Sequence, residues 1–293
     1  AMGGAVSAAL TFLEKGPGDD PKHRSIVHAI ATCVLFHVAV LSAGLLADGA
    51  LGPPAGALPA SPGAAAALLG YWAALVGIRL WQEADGRVLV VYELAWSCSA
   101  SLFFAAVAAQ LRRPALLCAT GLLVAIDQVL WYVDIAGYLL LGKMPIKVCS
   151  YLFWPSTPFT RRVTAMHHLL FEPAVIMLCA RGNGVPLCRG FLISVVMTVV
   201  CQAVCRFTTP LELPHARQKE GLYYMNINLC YEAFRDVKVA WIRRYDRARP
   251  AVYLPWMLWI WNFGNLLLFT ILAVLLLPAL RLLAGMPGAR LAF

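Results

Sequence analysis

From residue 255 to residue 278 the chain carries no Asp, Glu, Lys or Arg. A run of about 20 mostly apolar residues is long enough to cross the hydrocarbon core as a helix. No other feature constrains the fold as strongly. In lipid every backbone N–H and C=O must be satisfied within the protein, and only helices and closed barrels achieve that. Six further windows read the same way: 26–47, 63–81, 88–111, 115–142, 163–180 and 187–205. The second is Ala-rich and diluted by Gly63 and Gly70, and the fourth is long enough to tilt. Composition agrees, with 61% hydrophobic and 13% charged residues among 293, where an ordinary globular domain is about 25% charged. The expected fold is an all-α polytopic membrane protein, a bundle of about seven transmembrane helices.

Lys and Arg set the orientation, because they collect in cytoplasmic loops. With the N-terminus in the cytosol, the cytosolic segments hold 18 Lys and Arg and the opposite side holds 6. The net charge of +9 is thereby explained by topology, and nucleic acid is not an expected partner. The chain divides into an N-terminal cytosolic tail (1–23), a transmembrane domain (24–280) and a C-terminal tail (281–293). The stretch 206–250 mixes aromatic and basic residues. It predicts an amphipathic cytosolic loop, either a helix lying on the headgroups or a cap closing a pocket. The nine cysteines include no CxxC pair. Most lie in apolar runs, where Cys behaves as a small hydrophobe, and neither a zinc site nor a redox motif is expected.

Ionisable groups inside a bilayer are costly and usually mark function. In the N-in arrangement His28, Glu93, Asp127, Asp134, His167, His168, Glu172, Asn262 and Asn265 all fall in the cytosolic half of their helices. Thr164, His168 and Glu172 are spaced to share one helix face, and His167 points about 100° away. A carboxylate beside an imidazole fixes its tautomer and prepares a base, so Glu172 is the expected partner of His168. Asp127 and Asp134 share a face with Trp131. Pro173 removes a helix donor and predicts a bend. The HHxxxE string offers too few ligands at fixed spacing and HExxH is absent, so no metal is expected. Two other readings of the same residues stand beside an interior site. One is an interhelical hydrogen-bond network. The other is a transporter or channel with His28, Asp127, Asp134 and Glu172 as a proton or cation relay.

Four places resemble the TLC domain family of polytopic membrane proteins. Ser25, Ile26, Val27, His28 and Ala29 are similar to its S-x-x-H-A. The run from Gln128 to Asp134, with Trp131 and Tyr132, is similar to its Y-x-x-x-D. His167 and His168 stand where the family has a double histidine, and Thr208, Thr209, Pro210 and Leu211 resemble its S-T-P-F. The family's glutamate before S-T-P is replaced here by Arg206, with Glu212 following, and the HDxxD cluster of ceramide synthases is missing. The resemblance therefore implies a TLC-domain-containing protein rather than a ceramide synthase. It implies a role in lipid metabolism or lipid binding, membrane lipids as partners, and an endomembrane such as the endoplasmic reticulum. As an enzyme it would be an acyltransferase with acyl-CoA as co-substrate and no other cofactor. His168 would be the base, with His167 and Asp134 beside it as catalytic residues. His28, Glu93, Asp127, Trp131, Glu172, Asn262 and Asn265 would line the substrate cavity. The oligomeric state stays open, a homodimer included.

Overall fold

The computed structural model describes residues 21–52, 56–82, 87–155, 157–182, 184–214, 222–233, 235, 239–283, 285–286 and 290–292. Ten helices carry the fold among them: α1 (Ile26–Ala50), α2 (Pro62–Gln82), α3 (Arg87–Glu93), α4 (Ser97–Gln110), α5 (Pro114–Leu122), α6 (Ala125–Leu141), α7 (Phe159–Thr164), α8 (His167–Ala180), α9 (Leu187–Thr208) and α10 (Pro250–Leu283). Helices α1, α2, α9, α10 and the α7–α8 stretch are each long and apolar enough to cross a membrane. The windows 88–111 and 115–142 are each broken in two. Helices α3 and α4 meet at 57°, and α5 and α6 at 56°, so the count is five, or seven if each bent pair is one span.

Neither break is caused by Gly or Pro, since the joints read Leu94, Ala95, Trp96 and Leu123, Val124. Each joint leaves backbone groups that no intrahelical partner can take, and where they are buried a neighbour must satisfy them. An asparagine does so in both cases. The Asn228 side chain accepts from the Ser97 N–H at 2.7 Å and donates to the Ala95 carbonyl at 2.7 Å. Asn265 accepts from the Ile126 N–H at 2.7 Å and donates to the Leu123 carbonyl at 3.4 Å. Trp261 Nε1 donates to the same Leu123 carbonyl at 3.2 Å. The bend expected at Pro173 does not end α8, which runs on to Ala180. Pro173 cannot donate to the carbonyl of Leu169, and the Tyr132 hydroxyl donates to it instead at 3.1 Å.

Two sets of polar contacts close the bundle at its ends. At one, Asp48 near the end of α1 accepts from Arg113 at 3.2 Å and Arg189 at 3.0 Å, and Arg112 donates to the Leu58 carbonyl at 2.7 Å. At the other, Glu93 pairs with Arg161 at 2.9 Å and Arg79 at 3.5 Å and accepts from Tyr223 at 3.1 Å. Between them α1 and α5 both pack on α9, and α2 packs on α4. Helix α2 turns most of its surface outward, and its Gly63, Gly70 and Gly77 face no neighbouring atoms.

Among its described residues the stretch 206–250 does not form the amphipathic helix that is one of its two sequence readings. Its described part is irregular. Strands β2 (Glu212–Pro214) and β3 (Leu222–Tyr224) pair as an antiparallel hairpin, following β1 (Val185–Pro186) in the chain. Met225, Asn226, Ile227, Asn228, Leu229, Cys230, Tyr231, Glu232 and Ala233 are then all buried. Several of its basic and aromatic groups find partners inside the chain. Arg206 donates to the carbonyls of Cys230 and Ala248 at 3.0 and 3.1 Å. Tyr231 donates to the Thr209 carbonyl at 2.5 Å, and Arg247 and Arg235 both bind Glu232. Burial pushes the Glu232 carboxyl up, but the Arg247 hydrogen bond and charge, with hydrogen bonds from Tyr224 and Arg235, more than reverse this and hold it below the usual glutamate value. Residues 215–221, 234 and 236–238 of this stretch lie outside the described residues, as do 1–20 of the expected N-terminal tail. The C-terminal segment is not a free tail either, because β4 (Leu291–Ala292) pairs in parallel with β1.

Candidate functional site

Helix α8 begins at His167, after the chain turns at Ala165 and Met166. The His167 Nδ1–H donates to the Thr164 carbonyl at 2.8 Å, which leaves Nε2 as the nitrogen with the lone pair. Tyr71 from α2 donates to the same carbonyl at 3.2 Å and to that of Val163 at 2.9 Å. Its ring stands edge-on to His167, 6.2 Å between centroids. His168 lies flat on Trp131 of α6, with centroids 4.4 Å apart and planes 14° from parallel. Consecutive helical positions diverge by about 100° at the backbone, but the two imidazoles swing together to 4.1 Å. His167 Nε2 and His168 Nδ1 are buried with no hydrogen-bond partner among the described residues.

A third residue joins them. Cys98 is the second residue of α4, just past the joint that Asn228 clamps. Its Sγ and one ring nitrogen of each histidine all lie within 4.8 Å of one another. The three residues are 9%, 2% and 8% exposed. The centre is thus a thiol and two imidazoles, each with a buried nitrogen that has no partner among the described residues, walled by an indole, in an apolar interior. Such a set can accept a proton, attack a carbonyl or bind a soft metal ion.

Of the residues expected around the histidines, Trp131 is in contact with them and others have different tasks. Asp134 does not reach the imidazoles. Its oxygens accept the backbone N–H groups of Ile146 at 2.8 Å, Lys147 at 2.9 Å and Cys149 at 3.2 Å. One turn on, Gly137 lets that loop pass, since a Cβ there would sit 2.4 Å from Pro145 Cδ and 3.0 Å from the Lys143 carbonyl. Asp134 and Gly137 together form the seat of the 143–149 loop. Gly137→Ala is expected to lift that loop and cost roughly 1–3 kcal/mol by overpacking, read by chemical denaturation in detergent; an unchanged midpoint would show that the loop yields freely.

Glu172 does not orient His168. Neither of its oxygens has a hydrogen-bond partner among the described residues. It lies against α5 and α10 instead, where a Cβ on Gly121 would come within 2.7 Å of Oε2 and 2.6 Å of Phe269. His28 Nε2 pairs with the Thr208 carbonyl at 3.1 Å, pinning α1 to the end of α9. Glu93 is consumed by its arginines. Asn265 clamps the α5–α6 joint. Asn262 donates to the Leu258 carbonyl of its own helix at 2.8 Å, and its Oδ1 is buried without a partner among the described residues. Asp127 is buried in the first turn of α6, where the helix dipole favours a carboxylate.

Cys98, Tyr71 and Asn228 escape sequence reasoning. Nothing in SCS at 97–99 marks a ligand. For Asn228 a signal existed: Asn226 and Asn228 alternate in an apolar run, and Asn tolerates the left-handed conformation that both adopt, with φ of 39° and 54°. No family model matches the chain, and neither a curated protein nor a solved structure matches it.

Proposed function

We propose that this chain is a TLC-like membrane protein with seven spans and a cytosolic N-terminus, which transfers a lipid acyl group at a centre formed by His167 and His168. An endomembrane such as the endoplasmic reticulum is the setting that the resemblance implies. The end set at Asp48 supports the turn between the two bent pairs, because Arg112, after α4, and Arg113, before α5, both bind there, as expected where one span ends and the next begins.

One observation carries the reading. The intramembrane His28, Glu93 and Asp134 are spent on backbone groups or arginines, whereas the adjacent His167 and His168 each keep a buried nitrogen, and Glu172 both oxygens, without a partner among the described residues. Buried polar groups are normally satisfied, and exceptions call for a functional explanation. With Nδ1–H held by Thr164, His167 presents the nitrogen that can activate a lipid hydroxyl or amine toward an acyl thioester. This moves the activating role from His168 to His167, while Trp131 holds the His168 ring flat beside it. The relay alternative needs His28, Asp127, Asp134 and Glu172 free to exchange protons, and the hydrogen bonds of His28 and Asp134 to backbone interrupt that series.

Purified chain supplied with isotope-labelled acyl-CoA and mixed membrane lipids is expected to yield labelled acyl lipid by mass spectrometry. The His167→Ala/His168→Ala variant should lose about 10²–10⁴-fold of that transfer. Equal lipid profiles for the two proteins, with no label transferred by either, would sink the proposal.

A further inference from the structure

We propose that Cys98, His167 and His168 are three ligands of a transition-metal ion, zinc being the expected occupant, with a fourth position left for a substrate oxygen. The inference rests on reading the histidine pair as a working site, and it names the cofactor of that site.

The donor set comes first. One thiol and two imidazoles suit zinc or another borderline-soft ion and not magnesium or calcium, which take oxygen ligands. Zinc with three protein ligands and one open position is the usual catalytic arrangement. Bonds of about 2.0–2.1 Å to nitrogen and 2.3 Å to sulfur set ligand atoms roughly 3.3–3.6 Å apart in a tetrahedron. The three atoms already lie within 4.8 Å of one another, so side-chain rotation of at most ~1.5 Å closes the site.

The surroundings come second. A ligating histidine usually donates its other N–H to a carbonyl or carboxylate, which fixes the tautomer and the ring. His167 has that arrangement, with Nδ1–H on Thr164 and Nε2 unpartnered. Tyr71 donates to the same Thr164 carbonyl and holds it in place. His168 is held by its stack on Trp131, and Cys98 by the Asn228 bond to the adjacent Ser97 N–H. Each ligand is therefore fixed by a group outside the cluster, as a preorganised site requires.

Charge then argues for the fourth position. A thiolate, two neutral imidazoles and Zn²⁺ sum to +1, which is costly in an apolar interior. A hydroxyl that binds as its alkoxide brings the sum to zero. With Nε2 of His167 on the metal, the ion would replace that nitrogen as the activator by lowering the hydroxyl's pKa: the O–H proton would leave to solvent, the alkoxide would attack the acyl carbonyl, the C–S bond of the thioester would break, and the departing thiolate would be protonated from solvent.

The full chain in detergent, supplied with Zn(II) and desalted, is expected to hold about one zinc per chain by mass spectrometry, with Cys98→Ser and His168→Gln each binding at least ~100-fold more weakly. Cys188→Ser, at an exposed cysteine, should bind as the unaltered chain does. Substituted with Co(II), the unaltered chain should show a thiolate-to-cobalt charge-transfer band. The band should vanish in Cys98→Ser and persist, at higher cobalt concentration, in His168→Gln. An unaltered chain that takes up no zinc, a cobalt spectrum without the thiolate band, or equal affinity in Cys98→Ser would overturn the site. If the variants fail to fold, as judged by helical circular dichroism and elution, the spectrum of the unaltered chain decides alone. Metal content is read without turnover. Acyl transfer without metal would leave the proposed function standing and refute this site, and metal without acyl transfer would do the reverse.

Discussion

Asn228→Leu is expected to destabilise the protein by roughly 3–8 kcal/mol. Two contributions add. The side chain now satisfies the Ser97 N–H and the Ala95 carbonyl at the α3–α4 joint, both at 2.7 Å. Leucine leaves both buried and unmade, and each unsatisfied group costs about 1–3 kcal/mol. Asn228 also sits at φ 54°, ψ 28°, where a residue with a Cβ is disfavoured by roughly 1–2 kcal/mol and Asn less so. Asn228→Gly separates the two, because glycine adopts that conformation freely and loses only the hydrogen bonds. Unfolding would be followed by titration with denaturing detergent. A loss under about 1 kcal/mol, the worth of one ordinary hydrogen bond, would show that the joint is held by something other than this clamp. Cys98 follows Ser97 directly, so zinc affinity should fall in Asn228→Gly even where the fold survives.

Glu93→Ala is expected to cost about 3–5 kcal/mol, the usual penalty for removing one member of a buried ion pair. The carboxylate side chain is 4% exposed, and its arginine partners Arg79 and Arg161 are 10% and 26% exposed. Arg161, at 2.9 Å, is the stronger partner, and Arg79, at 3.5 Å, contributes mainly charge. Without Glu93 two guanidinium groups face a low-dielectric interior. The Tyr223 hydroxyl also loses its acceptor, which loosens the β2–β3 hairpin from the bundle end. Replacing the whole set, as Arg79→Leu/Glu93→Leu/Arg161→Leu, should recover much of the loss, since apolar substitution of a whole buried ionic group is often near neutral. If the triple variant proved no more stable than Glu93→Ala, the ion pairs would not be the origin of the effect.

The apolar windows were legible because membrane-spanning helices obey a one-dimensional rule of length and hydropathy. Their joints were not. Nothing at Leu94–Trp96 or Leu123–Val124 breaks a helix locally, and the breaks exist because Asn228, Asn265 and Trp261, all distant in the chain, take the freed backbone groups. For the same reason a shared helix face misled on Glu172. Its spacing from His168 is right, but α5 and α10 offer it a place that Thr164 and Trp131 do not. Asp134 misled in another way. An acid near membrane depth reads as chemistry until three backbone N–H groups of the 143–149 loop are seen to point at it. The amphipathic pattern of 206–250 left a surface helix and a cap both open, because composition cannot distinguish arginines that meet headgroups from arginines that meet the chain's own carbonyls.

By itself the sequence determined that this chain has helices for a membrane, and that its histidine pair is an anomaly there. Both follow from the cost of putting polar groups into hydrocarbon, which each segment meets separately. Only the tertiary structure decided what the pair is made of. Cys98, Trp131 and Tyr71 come from three other helices, and their contact with His167 and His168 depends on two helix starts and a bent span. Those are set by side-chain to backbone hydrogen bonds between segments far apart in the chain, which no local pattern records.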